Sequence, residues 1–419
     1  MEIQEHLSKL QVFCENFKET PISFSKKNLE SAKHTLSISD FPSTKNEFWK
    51  YTRLAKLAKL RLNQDKTSEH KLISAPLTDN GIIHITNGYV ASFSKQIPGI
   101  NITAFSKCSE QQLSFVGSHT SLNDAFFSSL NTQYAQEGIF IEIEENVKID
   151  AVFQLLFHST GTNNFAPFRV FIHVKKGASF RLLQQFTSEG TQQFSIPLIE
   201  YKVEENAHFS CDKLQMNNSD SYLLCEDYFS QKKNSVVLLN TITISGLWVR
   251  NNATFFVEGE NCETNLNGAY LLKDGQHVDN HTVVDHLAPY CNSSELYKGI
   301  LSGKSTGVFN GKVFVRPNAQ KINAFQSNAN VLLSEDASVN SKPELEIYAN
   351  DVKCSHGSTT GQLDTEALFY LRSRGLSEKS SKSLMMQAFI AEVIEKVETV
   401  EVRDLIHAKL VELHDWTTQ

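Results

Sequence analysis

With 419 residues, a 40% apolar share and 28 Phe, the chain has ample material for packed interiors, which excludes wholesale disorder and predicts two or three structural regions. The formal net charge is −7, with Lys and Arg scattered, which excludes nucleic acid and anionic membrane as the main partner. No stretch approaches the roughly 18 continuous apolar residues of a membrane span, and the start, Met1-Glu2-Ile3-Gln4-Glu5-His6, lacks the form of a secretion signal.

Cys14, Cys108, Cys211, Cys225, Cys262, Cys291 and Cys354 are scattered with no C-x-x-C spacing, so neither a zinc framework nor a disulfide scaffold is predicted. The expectation is a cytoplasmic protein with reduced thiols.

Residues 5 to 18 place Leu7, Leu10, Phe13 and Phe17 at steps of three and four, the pattern of an amphipathic helix, with Pro21 beyond it. Residues 45–62 hold Phe48-Trp49-Lys50-Tyr51 and then Leu54, Leu57 and Leu60, which predicts a second helix or a pair of short ones. Strand-like runs follow at 82–86, 89–93 and 100–105. Leu122, Phe126, Leu130 and Tyr134 then recur at steps of four and predict a helix over 120–135.

From Gly138 the texture changes for about two hundred residues. Short β-branched or aromatic runs recur at 139–143, 152–157, 168–174, 179–186, 196–203, 236–244, 253–257, 278–284, 306–315 and 345–349, with Asn, Gly, Ser or Asp in most gaps. Such a series allows a sandwich, a barrel or a β-helix. Its length and the scarcity of hairpin dipeptides favour a solenoid-like stack of coils. After residue 350 helices return: Ser377–Val397 carries a broad apolar stripe, and 400–414 carries Val402, Leu405, Ile406 and Leu410. The predicted layout is a mainly helical region with short strands over 1–138, a β core over 139–350 and a helical region over 351–419.

The joint between core and tail runs from Lys342 to Gly375. Asp364 is a predicted N-cap, with Leu368, Leu371 and Arg372 at helical spacing and Gly375 as the stop. Just before it stand Cys354 and His356, two residues apart. In an extended segment both side chains point the same way and could meet one ligand or one partner surface. Cys and His together suit soft or borderline ions such as iron and zinc, but two ligands do not complete a site.

Two other motifs invite chemistry. Gly299-Ile-Leu-Ser-Gly303-Lys304-Ser305 resembles a phosphate-binding loop but is one residue short, and strand text follows it where that loop needs a helix. The stretch from His277 to His286 reads as a strand that places His277, Asp279 and His281 on one side. That is either a metal site or, the favoured reading, a ladder of hydrogen-bonded polar side chains. No nucleophile elbow, Cys-His-Asn layout or H-E-x-x-H is present.

Taken together, Glu295-Leu-Tyr-Lys-Gly-Ile-Leu, Phe309-Asn-Gly-Lys, Gln320-Lys, Lys342-Pro-Glu-Leu-Glu-Ile-Tyr, Asp351-Val-Lys-Cys-Ser-His-Gly, Gly361-Gln-Leu-Asp and Leu368-Phe-Tyr-Leu-Arg-Ser-Arg-Gly closely resemble the SufB/SufD family of the SUF machinery of iron–sulfur cluster assembly. Glu47-Phe-Trp-Lys-Tyr-Thr is similar to the family's start, and the Cys-Ser-His-Gly joint resembles the SufD branch. The resemblance implies a mainly β protein with α flanks, its core a right-handed parallel β-helix between helical N- and C-terminal domains. It implies a heterodimer with a SufB-like subunit and a SufC-like ATPase docked on the C-terminal helices; whether the chain alone forms a homodimer stays open.

The same resemblance makes His356 a candidate ligand for iron or an iron–sulfur cluster, held transiently and shared with the SufB-like subunit. Cys354 is the second candidate, and no nucleotide is expected on this chain. The function so implied is a non-enzymatic scaffold. The rival expectations are a carbohydrate-active β-helix enzyme, and a SufD-like homodimer with a structural or iron-binding role.

Overall fold

The computed structural model describes residues 10–22, 26–66, 77, 81–93, 97–118, 125–414 and 416. Nineteen strands are defined among them. They are β1 Ile82–Thr86, β2 Tyr89–Phe93, β3 Ile100–Ala104, β4 Gly138–Ile143, β5 Lys148–Ser159, β6 Phe165–Val174, β7 Ser179–Ser188, β8 Gln193–Val203, β9 His208–Met216 and β10 Ser221–Gln231. Then follow β11 Val236–Ser245, β12 Trp248–Val257, β13 Glu263–Leu272, β14 His277–His286, β15 Asn292–Leu301, β16 Thr306–Val315, β17 Ile322–Leu332, β18 Ser338–Ile347 and β19 Val352–Gly361. The helices are α1 Lys26–Ile38, α2 Glu110–Phe115, α3 Ala125–Tyr134, α4 Thr365–Ser373, α5 Glu378–Ile394 and α6 Val400–His414.

From β4 onward successive strands alternate between two sheets. One runs β19-β17-β15-β13-β11-β9-β7-β5-β1-β2 and the other β18-β16-β14-β12-β10-β8-β6-β4-β3. All pairings between successive coils are parallel, for example Leu266 with Glu295 and Asn280 with Phe309, while β1–β2 and β3–β4 are antiparallel. This is a parallel β-helix of about eight turns, as the strand series predicts. Each coil is too small to bury its inner face alone, so stability comes from stacking on the coils above and below.

Side chains alternate in and out along each strand, and the inward ones stack in columns. Tyr201, Phe229 and Phe255 form one such column, with ring centroids 4.1 and 4.2 Å apart and the planes within 2°. Corners depend on left-handed residues: Asn206, Asn234 and Asn261 adopt φ of 56–57°. Asn tolerates this conformation better than other non-glycine residues. Their amides add an outer ladder, Asn234 Nδ2 donating to Asn206 Oδ1 at 2.9 Å and Asn261 Nδ2 to Asn234 Oδ1 at 3.3 Å.

Each sheet is covered outside by a different part of the chain. Leu10, Phe13, Trp49, Leu57 and residues of α3 pack on Phe165, Phe194, Tyr222 and Trp248 of the β6–β12 face. The helices α5 and α6 pack on Leu214, Ile242, Ile244, Leu271 and Ile300 of the opposite face.

Local differences from the sequence reading have plain causes. Of the helix expected over 5–18, residues 10–14 are helical and 5–9 lie outside the described residues, as does Leu122 of the 120–135 helix. Over 45–62 the chain makes two short 3-10 turns, Glu47–Trp49 and Leu57–Lys59, matching the pair of short helices. The helix α1 was not expected; its sequence KKNLESAKHTLSI is mostly polar. The cap and stop of α4 are as read: Asp364 accepts from Glu366 N and Ala367 N, and Gly375 ends the helix at φ +94°. Before them, where the helical region was expected to begin, Val352–Gly361 is instead the strand β19.

Candidate functional site

The terminal coil carries the candidate ligands. The segment that holds Cys354 and His356 is β19, so the extended conformation that aligns the two side chains is present. In register Cys354 pairs with Ala324 and His356 with Gln326 on β17, and both lower residues are buried in the solenoid interior. Cys354 is partly buried against the core, and burial pushes its thiol up, which favours the neutral form. His356 is exposed. No group of three or more His, Cys, Asp or Glu stands in metal-binding array among the described residues.

Below His356 lies a column that sequence reading missed. Gln326 is in register with Glu295 one coil further down, and Gln326 Nε2 donates to Glu295 Oε1 at 3.0 Å. Across the interior, Thr282 Oγ1 donates to Glu295 Oε2 at 2.5 Å. Gly311 faces Gln326, and a Cβ there would come within 2.9 Å of Gln326 Nε2, so the absence of a side chain is what admits the amide. Burial holds the Glu295 carboxyl up to about 7, against the pull of the Thr282 and Gln326 hydrogen bonds. It is therefore largely protonated below neutral pH. The signal that could have found it is Glu295 at an inward position of a strand whose neighbours Tyr297 and Leu301 also face in.

The outer side of the same coils borders a groove of about 1010 Å³ beside α5, lined among others by Lys298, Phe325, Ser355, His356, Glu392 and Glu398. Lys298 Nζ crosses towards α5, 2.7 Å from Glu392 Oε2 and 2.9 Å from the Phe389 carbonyl. The edges of β18 and β19 are each the outermost in their sheets. Ile347 and Tyr348 at the end of β18 are exposed, as are Phe369 and Tyr370 on α4, Phe369 by 74%. Unpaired edges with apolar neighbours are a pairing hazard unless something covers them.

The other two motifs have structural roles. Asp279 is buried with Arg250 Nη1 at 2.6 Å and His281 Nε2 at 3.1 Å, and Thr52 donates to its Oδ2. Burial works to raise its carboxyl, but the charges of Arg250 and His281 prevail and it lies well below the usual range. Thr52 Oγ1 also lies 3.0 Å from His277 Nε2, and the Arg250 guanidinium stacks 3.8 Å over the Trp49 ring. The stretch is the polar ladder, and it anchors the N-terminal segment. Gly303-Lys304-Ser305 is a solenoid corner leading straight into β16, with no helix to face a phosphate.

Comparison with known proteins agrees with this architecture. The family model described as "SUF system FeS cluster assembly, SufBD core domain" matches residues 157–389. The chain is 27% identical to the iron–sulfur cluster assembly protein SufD of Escherichia coli (strain K12) over 382 residues, 88% of each chain. An iron–sulfur cluster assembly SufBD family protein of Synechocystis is 26% identical over 394 residues, 88% of this chain and 86% of the relative. The chloroplastic protein ABCI7 of Arabidopsis thaliana is 28% identical over 406 residues, 90% of this chain and 83% of the relative.

Proposed function

This chain belongs to the SufBD family of the SUF iron–sulfur cluster assembly system, and from that membership we propose that it is a non-enzymatic scaffold subunit. It pairs with a SufB-like subunit through the terminal coil and docks a SufC-like ATPase on α5 and α6. Iron or the nascent cluster is the cargo. His356, with Cys354 beside it, supplies part of the ligand set and the partner supplies the rest.

The observation that carries this reading is the terminal coil itself. His356 stands on an edge strand, and exposed apolar side chains lie on both sides of it in the chain: Ile347 and Tyr348 at the end of β18, and Phe369 on α4. A partner covering those edges would bring its own donors to His356, which two donors on one chain need. Docking of the ATPase on α5 and α6 would make its closure on ATP move the tail against the solenoid. Nucleotide binding elsewhere would then control access to the cargo site.

The test is an anaerobic affinity purification of the tagged full chain from its native cytoplasm. Co-purification of a similar-sized partner with a small ATPase is expected. Recovery of the chain alone at every salt concentration would overturn the assembly reading.

A further inference from the structure

Two of the seven cysteines meet at a corner of the solenoid, away from the terminal coil. Cys262 immediately precedes β13 and Cys291 immediately precedes β15; the pairing of Glu263 with Asn292 puts the two cysteines in register on successive coils. Asn292 N donates to the Cys262 carbonyl at 2.9 Å, which continues the ladder through the cysteines themselves. Stacked parallel strands lie about 4.8 Å apart, inside the Cα separation of roughly 4.4–6.8 Å that a disulfide accepts.

The sulfurs converge as well as the backbones. The Gly259 carbonyl oxygen is 3.2 Å from Cys262 Sγ and 3.2 Å from Cys291 Sγ. That carbonyl is held in place because Gly259 packs on the coil beneath, where a Cβ would come within 2.0 Å of Lys233 N. Ser235 Oγ lies 3.6 Å from Cys262 Sγ on the other side. The neighbouring Cys291 thiol, aided by Ser235, pulls Cys262 down against its burial; the same proximity pushes Cys291 up. Cys211 and Cys225, buried like Cys262 and Cys291, are raised by burial without a partner thiol that lowers either one.

We propose that Cys262 and Cys291 are a redox-responsive pair, oxidised by a small peroxide to a disulfide that joins two successive coils. The Cys262 thiolate attacks one oxygen of hydrogen peroxide, giving a sulfenic acid and hydroxide. Cys291 then attacks that sulfur, its proton leaving with the departing hydroxyl as water. In sum, two thiols and one peroxide give one disulfide and two waters, the thiols losing the two electrons the peroxide gains. The pair needs no other residue and is independent of the cluster-assembly reading.

The test is peptide mapping of the full chain, reduced and then exposed to hydrogen peroxide, denatured and alkylated. A cross-linked peptide pair containing Cys262 and Cys291 is expected, and it should also form in a Cys354→Ser variant. In Cys291→Ser the link should vanish and a dimedone adduct should appear at Cys262. Full alkylation of both residues at a peroxide dose that has oxidised Cys354 would overturn the proposal. So would conversion of Cys262 to sulfinic acid in the wild type with no link formed. The wild-type map needs no variant to fold, so it decides by itself.

Discussion

Gln326 lies in register directly beneath His356, and its buried side-chain Oε1 has no hydrogen-bond partner among the described residues. Its Nε2 is already committed to Glu295 Oε1 at 3.0 Å. A buried acceptor without a donor is costly, and the group next to it on the final coil is an imidazole that can donate one N–H. If His356 turns onto Gln326, that bond fixes the tautomer and frees the other ring nitrogen for a ligand.

Replacing His356 by Ala should leave stability within about 0.5 kcal/mol, because the side chain is exposed. Cluster assembly by the complex should fall sharply, as read by activation of an apo iron–sulfur acceptor protein. Gln326→Leu should weaken iron or cluster binding on the order of 10-fold, as loss of an orienting partner does, with His356 still in place. Normal assembly in both variants would remove the column from the site.

Glu295 should leave a mark on the pH dependence of stability. Burial holds its carboxyl up to about 7, so the folded chain keeps a proton that the unfolded chain releases above roughly pH 4.3. Between those values the unfolded state binds fewer protons, and stability falls as pH rises until it levels off above 7. The effect of one such carboxyl is roughly 3 kcal/mol. Asp212, also held up to about 7 by burial, acts in the same direction. Thermal melts from pH 5 to 8 should therefore show a shallower decline for Glu295→Gln than for the wild type. Parallel profiles would mean that Glu295 titrates normally.

The ion pair between Arg250 and Asp279, on neighbouring coils of the solenoid, is where the N-terminal segment seats. Both side chains are almost fully buried, and Thr52 and the Trp49 ring close over them. Asp279→Ala would leave the Arg250 charge uncompensated, a loss of about 3–5 kcal/mol. Urea denaturation should report that loss, and limited proteolysis should find new cleavage between residues 40 and 62. Asp279→Asn, which keeps an acceptor, should lose less.

How far the fold could be read depended on what each strand buries. Runs such as 168–174 and 278–284 were legible because β-branched or aromatic residues hold most of one face, Phe168, Val170, Ile172 and Val174 in the first and Val278, Thr282 and Val284 in the second. The strand β9 was not: its inward positions are Phe209, Cys211, Lys213 and Gln215, and two polar residues break the apolar alternation. Lys213 is tolerated there because Asp227 meets it from the opposite sheet and Tyr201 donates to the same carboxylate at 3.0 Å. That partnership exists only across the solenoid interior, between the two sheets, so no local pattern announces it. The same holds for the site. Cys354 and His356 are two residues apart and visible in the sequence, whereas Gln326 and Glu295 join them only through stacking 30 residues and more away.

The tail should come loose before the solenoid does. The helix α6 buries Val402, Ile406 and Leu410 at steps of four on Leu214, Ile242 and Ile244. Its polar contacts include Lys273 Nζ to the Leu413 carbonyl at 3.2 Å and His414 Nε2 to the Ile244 carbonyl at 2.9 Å. Every coil, by contrast, is tied to its neighbours by a continuous backbone ladder. Truncation of a buried Ile to Ala costs about 2–5 kcal/mol, and here that cost falls on the less cooperative element. Ile406→Ala should therefore speed amide exchange across Val400–His414 while the strands β9 to β13 keep their protection. Because the ATPase is proposed to dock on these helices, the same variant should recover less of it in affinity purification while the similar-sized partner is retained. Undiminished recovery of the ATPase with the loosened helix would place its contact elsewhere than on the tail.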